Sequence, residues 1–97
     1  MTTYLVSRHP GALHWMREHG PAFDQHLTHL EPASVQAGDT VIGTLPIQLA
    51  AQVCARGARY LHLTVDLPAQ WRGKELSAEQ LNEAHAHLQE FHVQPRP

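Results

Sequence analysis

The run Thr3-Tyr4-Leu5-Val6, then Ser7-Arg8-His9-Pro10-Gly11, then residues 12–19, constrains the fold more than any other stretch of the chain. The first four residues favour a strand, which the pattern extends over residues 3–7. Ala12, Leu13 and Met16 recur at helical spacing while Arg17 and Glu18 fall elsewhere, so residues 11–19 read as a helix covering a sheet. Gly20-Pro21 ends it. Proline suits the first turn of a helix, where its missing N–H costs nothing. Residues 7–11 therefore join a strand end to a helix start. Unpaired backbone N–H groups and the positive end of the helix dipole gather at such a corner and favour an anion. This chain adds a hydroxyl, a guanidinium and an imidazole at the same point.

The pattern recurs in mid-chain. Thr40-Val41-Ile42 reads as a strand that stops at Gly43, and Thr44-Leu45-Pro46 leads into a helix over residues 46–56. Ile47, Ala50, Val53 and Cys54 give that helix its apolar stripe, and Gly57 is its stop. Between the two units, residues 25–30 suggest a strand diluted by Gln25 and two histidines, and residues 31–38 a loop. Residues 60–65 form a fourth strand closed by Leu67-Pro68, and residues 69–76 an ordered loop. Ser77, with Gln80 three positions on, forms a capping box opening a last helix with Leu81, Ala84, Leu88 and Phe91 on its apolar face.

Strands alternating with helices predict one α/β domain over residues 1–93, with residues 94–97 a flexible tail. The expected sheet has four mostly parallel strands in the order 2-1-3-4, flanked by three helices. Right-handed crossovers then put the first two helices on opposite faces. Strands one and three flank a topological switch point, where open α/β sheets bind ligands beyond their strand carboxyl ends. The two corners would sit side by side there.

A chain of 97 residues buries roughly two-thirds of its unfolded surface, which leaves little room for a deep private pocket and favours a cleft shared by two subunits. With a net charge of −2 and only 16% charged residues, the chain lacks the broad basic surface that long nucleic acids require. Its single cysteine, Cys54, excludes an internal disulfide and a multi-cysteine zinc site, and fits a reducing cytoplasm. No apolar run approaches the ~18 residues of a membrane span, and no signal-peptide pattern is present. The expectation is a cytoplasmic protein with no membrane partner.

Arg8 and His9 lead the candidate site residues. Arg8 as a plain surface charge and His9 as a cap is the simpler reading. A charged pair at a helix N-terminus is ill-suited to capping, however, unless an anion is present. Ser7 either satisfies a backbone N–H or joins the site. Gly11 serves close backbone approach or packing. Gly43 and Thr44 line the second corner, where Thr44 caps a helix or meets a ligand, and Gln48 projects toward the cleft or into solvent. Trp71, Arg72, Gly73 and Glu75 suit base stacking and phosphate pairing. Equally, Trp71 covers the core edge while Arg72 and Glu75 pair with each other or with a neighbouring subunit.

Nine histidines invite a metal reading, which their spacing opposes. His26 and His29 point to opposite faces of a strand, His85 and His87 do not share a helical face, and no His-Glu-x-x-His occurs. Gly-x-x-x-x-Gly-Lys-Ser/Thr and Gly-x-Gly-x-x-Gly are also missing, so neither a metal nor a cofactor is expected. Cys54 lies on the buried face of its helix, as an inert core thiol does.

Three collinear motifs resemble a known family: Val6-Ser7-Arg8-His9-Pro10-Gly11, Gly38-Asp39-Thr40-Val41-Ile42-Gly43-Thr44-Leu45-Pro46 and Arg72-Gly73-Lys74-Glu75-Leu76. They look like the small CRISPR-associated family numbered sixteen in the Csx series, over nearly the whole chain from Thr3 to about Val93. The resemblance implies a Rossmann-like fold related to domains that sense cyclic oligoadenylates, and a ring nuclease that degrades these messengers of type III CRISPR immunity. Without a metal, a ribose 2′-hydroxyl would attack the neighbouring phosphate. His9 would transfer the proton and Arg8 and Arg72 stabilise the developing charge, with Ser7 assisting. Gly11, Gly43, Thr44, Gln48, Trp71, Gly73 and Glu75 would contact the ring. A cyclic tetra-adenylate exceeds one shallow cleft, so a homodimer is expected. Its two 7–11 corners would face each other, bordered by the 71–75 loops. A non-catalytic oligoadenylate-binding module and a structural CRISPR accessory protein are the alternatives.

Overall fold

A computed structural model describes all of residues 1–97. Its elements run β1 (Thr3–Val6), α1 (Pro10–His19), β2 (Gln25–Leu27), β3 (Thr40–Gly43), α2 (Ile47–Ala55), β4 (Arg59–Thr64), α3 (Ala78–Glu83) and β5 (His87–Phe91). Single 3₁₀ turns cover Pro32–Ser34 and Ala69–Trp71. The sheet order is β2-β1-β3-β4-β5. The first four strands are parallel and β5 runs antiparallel to β4. The mixed α/β class, the three helices and the order 2-1-3-4 of the parallel strands are as expected.

A fifth strand is the correction. The expected last helix ends at Glu83, because His85 adopts a left-handed φ of 58° and turns the chain back. Leu88 then pairs with Leu63 and Phe91 with Tyr60 across the ladder, instead of lining a helix. β4 would otherwise be an edge with unpaired N–H and C=O groups, and β5 satisfies that side of it. The capping box at the start of α3 is present, with Ser77 Oγ accepting from Gln80 N at 3.1 Å and Gln80 Oε1 from Ser77 N at 3.0 Å.

Strand alternation divides the core between the two faces of the sheet. Leu5, Ile42 and Leu63 pack with Ala12, Trp15 and Met16 of α1 and with Ala78 and Leu81 on the α3 side. Val41 and Tyr60 point the other way and pack with Ala50, Val53 and Cys54 of α2 and with Leu30 and Val35. The first two helices thus lie on opposite faces, as right-handed crossovers require. Trp15 takes the buried place expected of Leu13, which is only half-buried. α2 closes on Gly57 at φ 85°, with Gly57 N bonded to Cys54 O and Ala58 N to Val53 O. That is the double bond pattern of a Schellman stop.

Candidate functional site

Strand β1 delivers the first corner. Ser7 N donates to Leu27 O at 2.9 Å, which prolongs the β1–β2 ladder by one residue. Ser7 Oγ then accepts from His9 N at 3.1 Å and turns the chain. Pro10 opens α1 with its fixed φ, and His9 occupies the cap position without a side-chain capping bond. The His9 carbonyl takes the N–H groups of Ala12 and Leu13, whereas the Gly11 N–H has no partner within the chain.

Two side chains brace this corner from the β2 side. His26 Nε2 lies 2.9 Å from Ser7 O, and because a carbonyl only accepts, Nε2 carries the proton. Arg8 Nε donates to Thr28 O at 3.3 Å. That bond holds the guanidinium by one edge, and its two terminal nitrogens bond to nothing else in the chain.

The second corner leaves β3 at Gly43 and enters α2 through Pro46. Tyr60, rooted in the core beneath, holds it. The phenol oxygen accepts from Leu45 N at 2.9 Å and donates to Gly43 O at 3.1 Å. Burial pushes the Tyr60 phenol above its ordinary pKa, partly offset by the Leu45 N–H. The N–H groups of Ile47 and Gln48, in the first turn of α2, have no partner within the chain.

Val6 pairs in register with Gly43, so Ser7 and Thr44 are the next residues along neighbouring strands. A Cβ on Gly43 would lie 2.5 Å from Val6 O, so this position needs glycine for the strands to close up. Two cavities open here and share Val6, Ser7, His9 and Thr44 as a common wall. The larger, about 400 Å³, is lined by Arg8, Thr28, His29, Pro46 and Leu49 besides the shared wall. The smaller, about 210 Å³, is mostly apolar and has Lys74 at its edge. No acidic residue lines either cavity. In a chain of net charge −2, this end of the sheet is therefore locally cationic and suited to an anion.

Of the residues singled out from sequence, Ser7, Arg8, His9, Gly43 and Thr44 converge on the paired cavities. Gly11, Gln48, Trp71, Arg72, Gly73 and Glu75 line neither. Gly11 serves packing, since a Cβ there would overlap the Leu76 carbonyl. Gln48 is exposed in the first turn of α2. Trp71 is half-buried, and Arg72, Gly73 and Glu75 are exposed beyond the cavity edge, with Gly73 at φ 78°.

Lys74, Thr28 and His29 reach the cavities without having been singled out. Lys74 stood inside a motif already noted, and loop geometry alone decides that it faces inward in place of Arg72. His26 and Tyr60 act through backbone carbonyls, for which one sequence offers no signal.

A family model with the description "Putative CRISPR-associated protein (Cas_VVA1548)" matches residues 4–94. No curated protein and no solved structure matches the chain significantly.

Proposed function

The chain belongs to this family of CRISPR-associated proteins, and on that premise we propose that its paired cavities bind and cleave a cyclic oligoadenylate, cyclic tetra-adenylate in the first instance. One observation carries the reading. Two strand-to-helix corners meet at the switch point and present Arg8, His9, Ser7 and Thr44 around cavities free of carboxylates, at the ends of two helices whose first N–H groups are unpaired. Such a set suits a phosphodiester with a ribose hydroxyl at its side. The sequence resemblance to the ring-nuclease-like Csx family supports the same ligand.

In the proposed reaction the ribose 2′-oxygen attacks the adjacent phosphorus. The new P–O2′ bond forms as the P–O5′ bond breaks. His9 takes the 2′-hydroxyl proton and returns it, directly or through solvent water, to the departing 5′-oxygen, and linear products end in a 2′,3′-cyclic phosphate and a 5′-hydroxyl. Arg8 and the α1 N-terminus stabilise the extra negative charge of the phosphorane, and Ser7 holds the corner in shape. Arg72 would reach the ring only where it extends beyond the paired cavities. Two chains on a two-fold axis, with their 7–11 corners facing, would match the symmetry of the ring.

The test is incubation of the purified protein with cyclic oligoadenylates in EDTA, with chromatography of the products and light scattering of the protein. Linear adenylates ending in cyclic phosphate are expected, from a dimer. Intact ring recovered from a tight complex would assign a binding module instead. No binding and no turnover at any ring size would overturn the reading.

A further inference from the structure

We infer that the smaller cavity is a nucleobase pocket, which takes the adenine of the nucleotide whose phosphate sits in the larger one. The inference rests on the proposed oligoadenylate reading and divides the ligand between the two cavities.

Seven of the twelve residues that line the smaller cavity are apolar: Val6 in the common wall, and Leu5, Ala12, Leu63, Val65, Leu76 and Leu81 beyond it. Leu5, Ala12, Leu63 and Leu81 are buried members of the core on the α1 face, so the floor of the cavity is held by core packing. Val65 and Leu76 are half-buried and come from the two ends of the loop that crosses above. About 210 Å³ is the room of roughly seven waters, enough for one planar ring system and too little for a dinucleotide. Away from the common wall and Lys74, the leucine, valine and alanine lining offers no compensation to a phosphate entering it. A flat heterocycle, by contrast, gains from leaving water there.

The connection between the two cavities limits the ligand further. Their common wall consists of Val6, Ser7, His9 and Thr44, the residues of the two corners. A ligand filling both must place an anionic group and a flat apolar group on either side of a short polar junction. A nucleotide does this, with phosphate toward Arg8 and His29, base toward Leu63 and Val65, and ribose against Ser7, His9 and Thr44. That puts a 2′-hydroxyl beside the imidazole proposed to accept its proton. Lys74, at the edge of the smaller cavity, is then placed to meet the next phosphate along the chain.

The probes are adenosine 5′-monophosphate, inorganic phosphate and cyclic tetra-adenylate, each titrated into methyl-labelled protein and followed by NMR. Adenosine monophosphate is expected to shift the methyl signals of Leu63, Val65 and Leu81, and inorganic phosphate to leave them in place. Val65→Trp, which fills the slot from its half-buried edge, should weaken adenosine monophosphate binding by at least about tenfold, the worth of one buried ring. It should leave the response to inorganic phosphate unchanged. Leu76→Trp, from the other end of the loop, guards against one variant failing to fold. Cavity methyls unmoved by adenosine monophosphate, or folded Trp variants of wild-type affinity, would overturn the inference. Cleavage of cyclic tetra-adenylate with those methyls unmoved would do so while leaving the proposed function standing. Base-dependent methyl shifts in a protein that never cleaves the ring would support the pocket and overturn the nuclease.

Discussion

The phenol oxygen of Tyr60 lies 2.6 Å from Nδ1 of His62, across a pair of residues on the same face of β4. A phenol has one proton, and the Gly43 carbonyl at 3.1 Å can only accept it. With the phenol proton donated to the Gly43 carbonyl, His62 donates through Nδ1, and neutral His62 then leaves its Nε2 unprotonated. Nitrogen-edited imidazole spectra at pH 8 should show the Nδ1-protonated form for His62. The Nε2-protonated form would mean that the phenol proton goes to His62 and the Gly43 carbonyl lacks its partner.

Tyr60→Phe removes the group that Leu45 N–H and Gly43 C=O both use. Leaving buried partners unmatched costs ~1–3 kcal/mol, to be read in urea denaturation. The loss has a pH signature. Burial raises the folded phenol pKa, so the stability Tyr60 contributes is complete below the unfolded value of about 10 and declines as pH rises through the higher folded value. Wild type should lose stability over that alkaline range more steeply than Tyr60→Phe.

Gly11→Ala and Gly43→Ala test two close approaches of backbone. At Gly11 a Cβ meets the Leu76 carbonyl, where the loop enters α3, and at Gly43 it meets Val6 O at 2.5 Å. Overpacking of this kind typically costs ~1–3 kcal/mol and should lower Tm. Gly43→Ala should also impair ligand binding, because it spreads β1 from β3 at the common wall. Wild-type stability in either variant would contradict the packing described.

Under the proposed reaction, chemistry and binding should separate at Arg8 and His9. Loss of a general base lowers turnover by ~10²–10⁴, so His9→Ala should cut kcat to that extent with modest change in KM. Arg8→Ala should weaken both, because in the proposed complex the guanidinium would meet charge already present in the ground state. Lys74→Ala should raise KM in stopped assays of ring cleavage, and Arg72→Ala should alter it less, because only Lys74 lines a cavity. A larger effect at Arg72 would place that residue against the ring from a partner chain.

At the other end of the sheet, Asp39 is only 5% exposed and accepts N–H groups from Thr2 and Gln36, both at 2.9 Å. The Gln36 bond and then the Thr2 bond hold its carboxyl below the ordinary value. Its stabilising effect is therefore full above the unfolded carboxyl pKa, near 4, and is lost as pH falls through the lower folded value. Asp39→Asn should be less stable than wild type at pH 7, with the difference shrinking toward pH 2. Urea midpoints at both pH values provide the check, and a difference independent of pH would rule out the carboxylate as its source.

Legibility from sequence followed how local each cause is. Strand, turn, proline and helix at residues 3–19 and again at 40–57 are written in neighbouring residues, and β1, α1, β3 and α2 fall within one residue or so of the expected bounds. From those units the switch point follows, and with it Ser7, Arg8, His9, Gly43 and Thr44. Residues 84–91 show the opposite case. Ala84, Leu88 and Phe91 continue a helical spacing begun by Leu81, and no glycine or proline interrupts it. The open edge of β4 decides the matter, and that requirement comes from the far side of the chain. Lys74 facing the cavity in place of Arg72 likewise depends on how the 69–76 loop lies over the sheet.

Because β5 runs against the parallel strands, it begins at His87 beside Thr64 and finishes at Phe91 beside Tyr60. Val93 N then reaches Cys54 Sγ, in the closing turn of α2, at 3.4 Å. Thr2, just before β1, donates to Asp39 at that same edge. Residues 2 and 93 therefore both lie on the side of the domain away from Ser7 and Thr44. Dyes, affinity handles, surface tethers or a fused second protein can be attached through either terminus without crossing the mouth of the paired cavities.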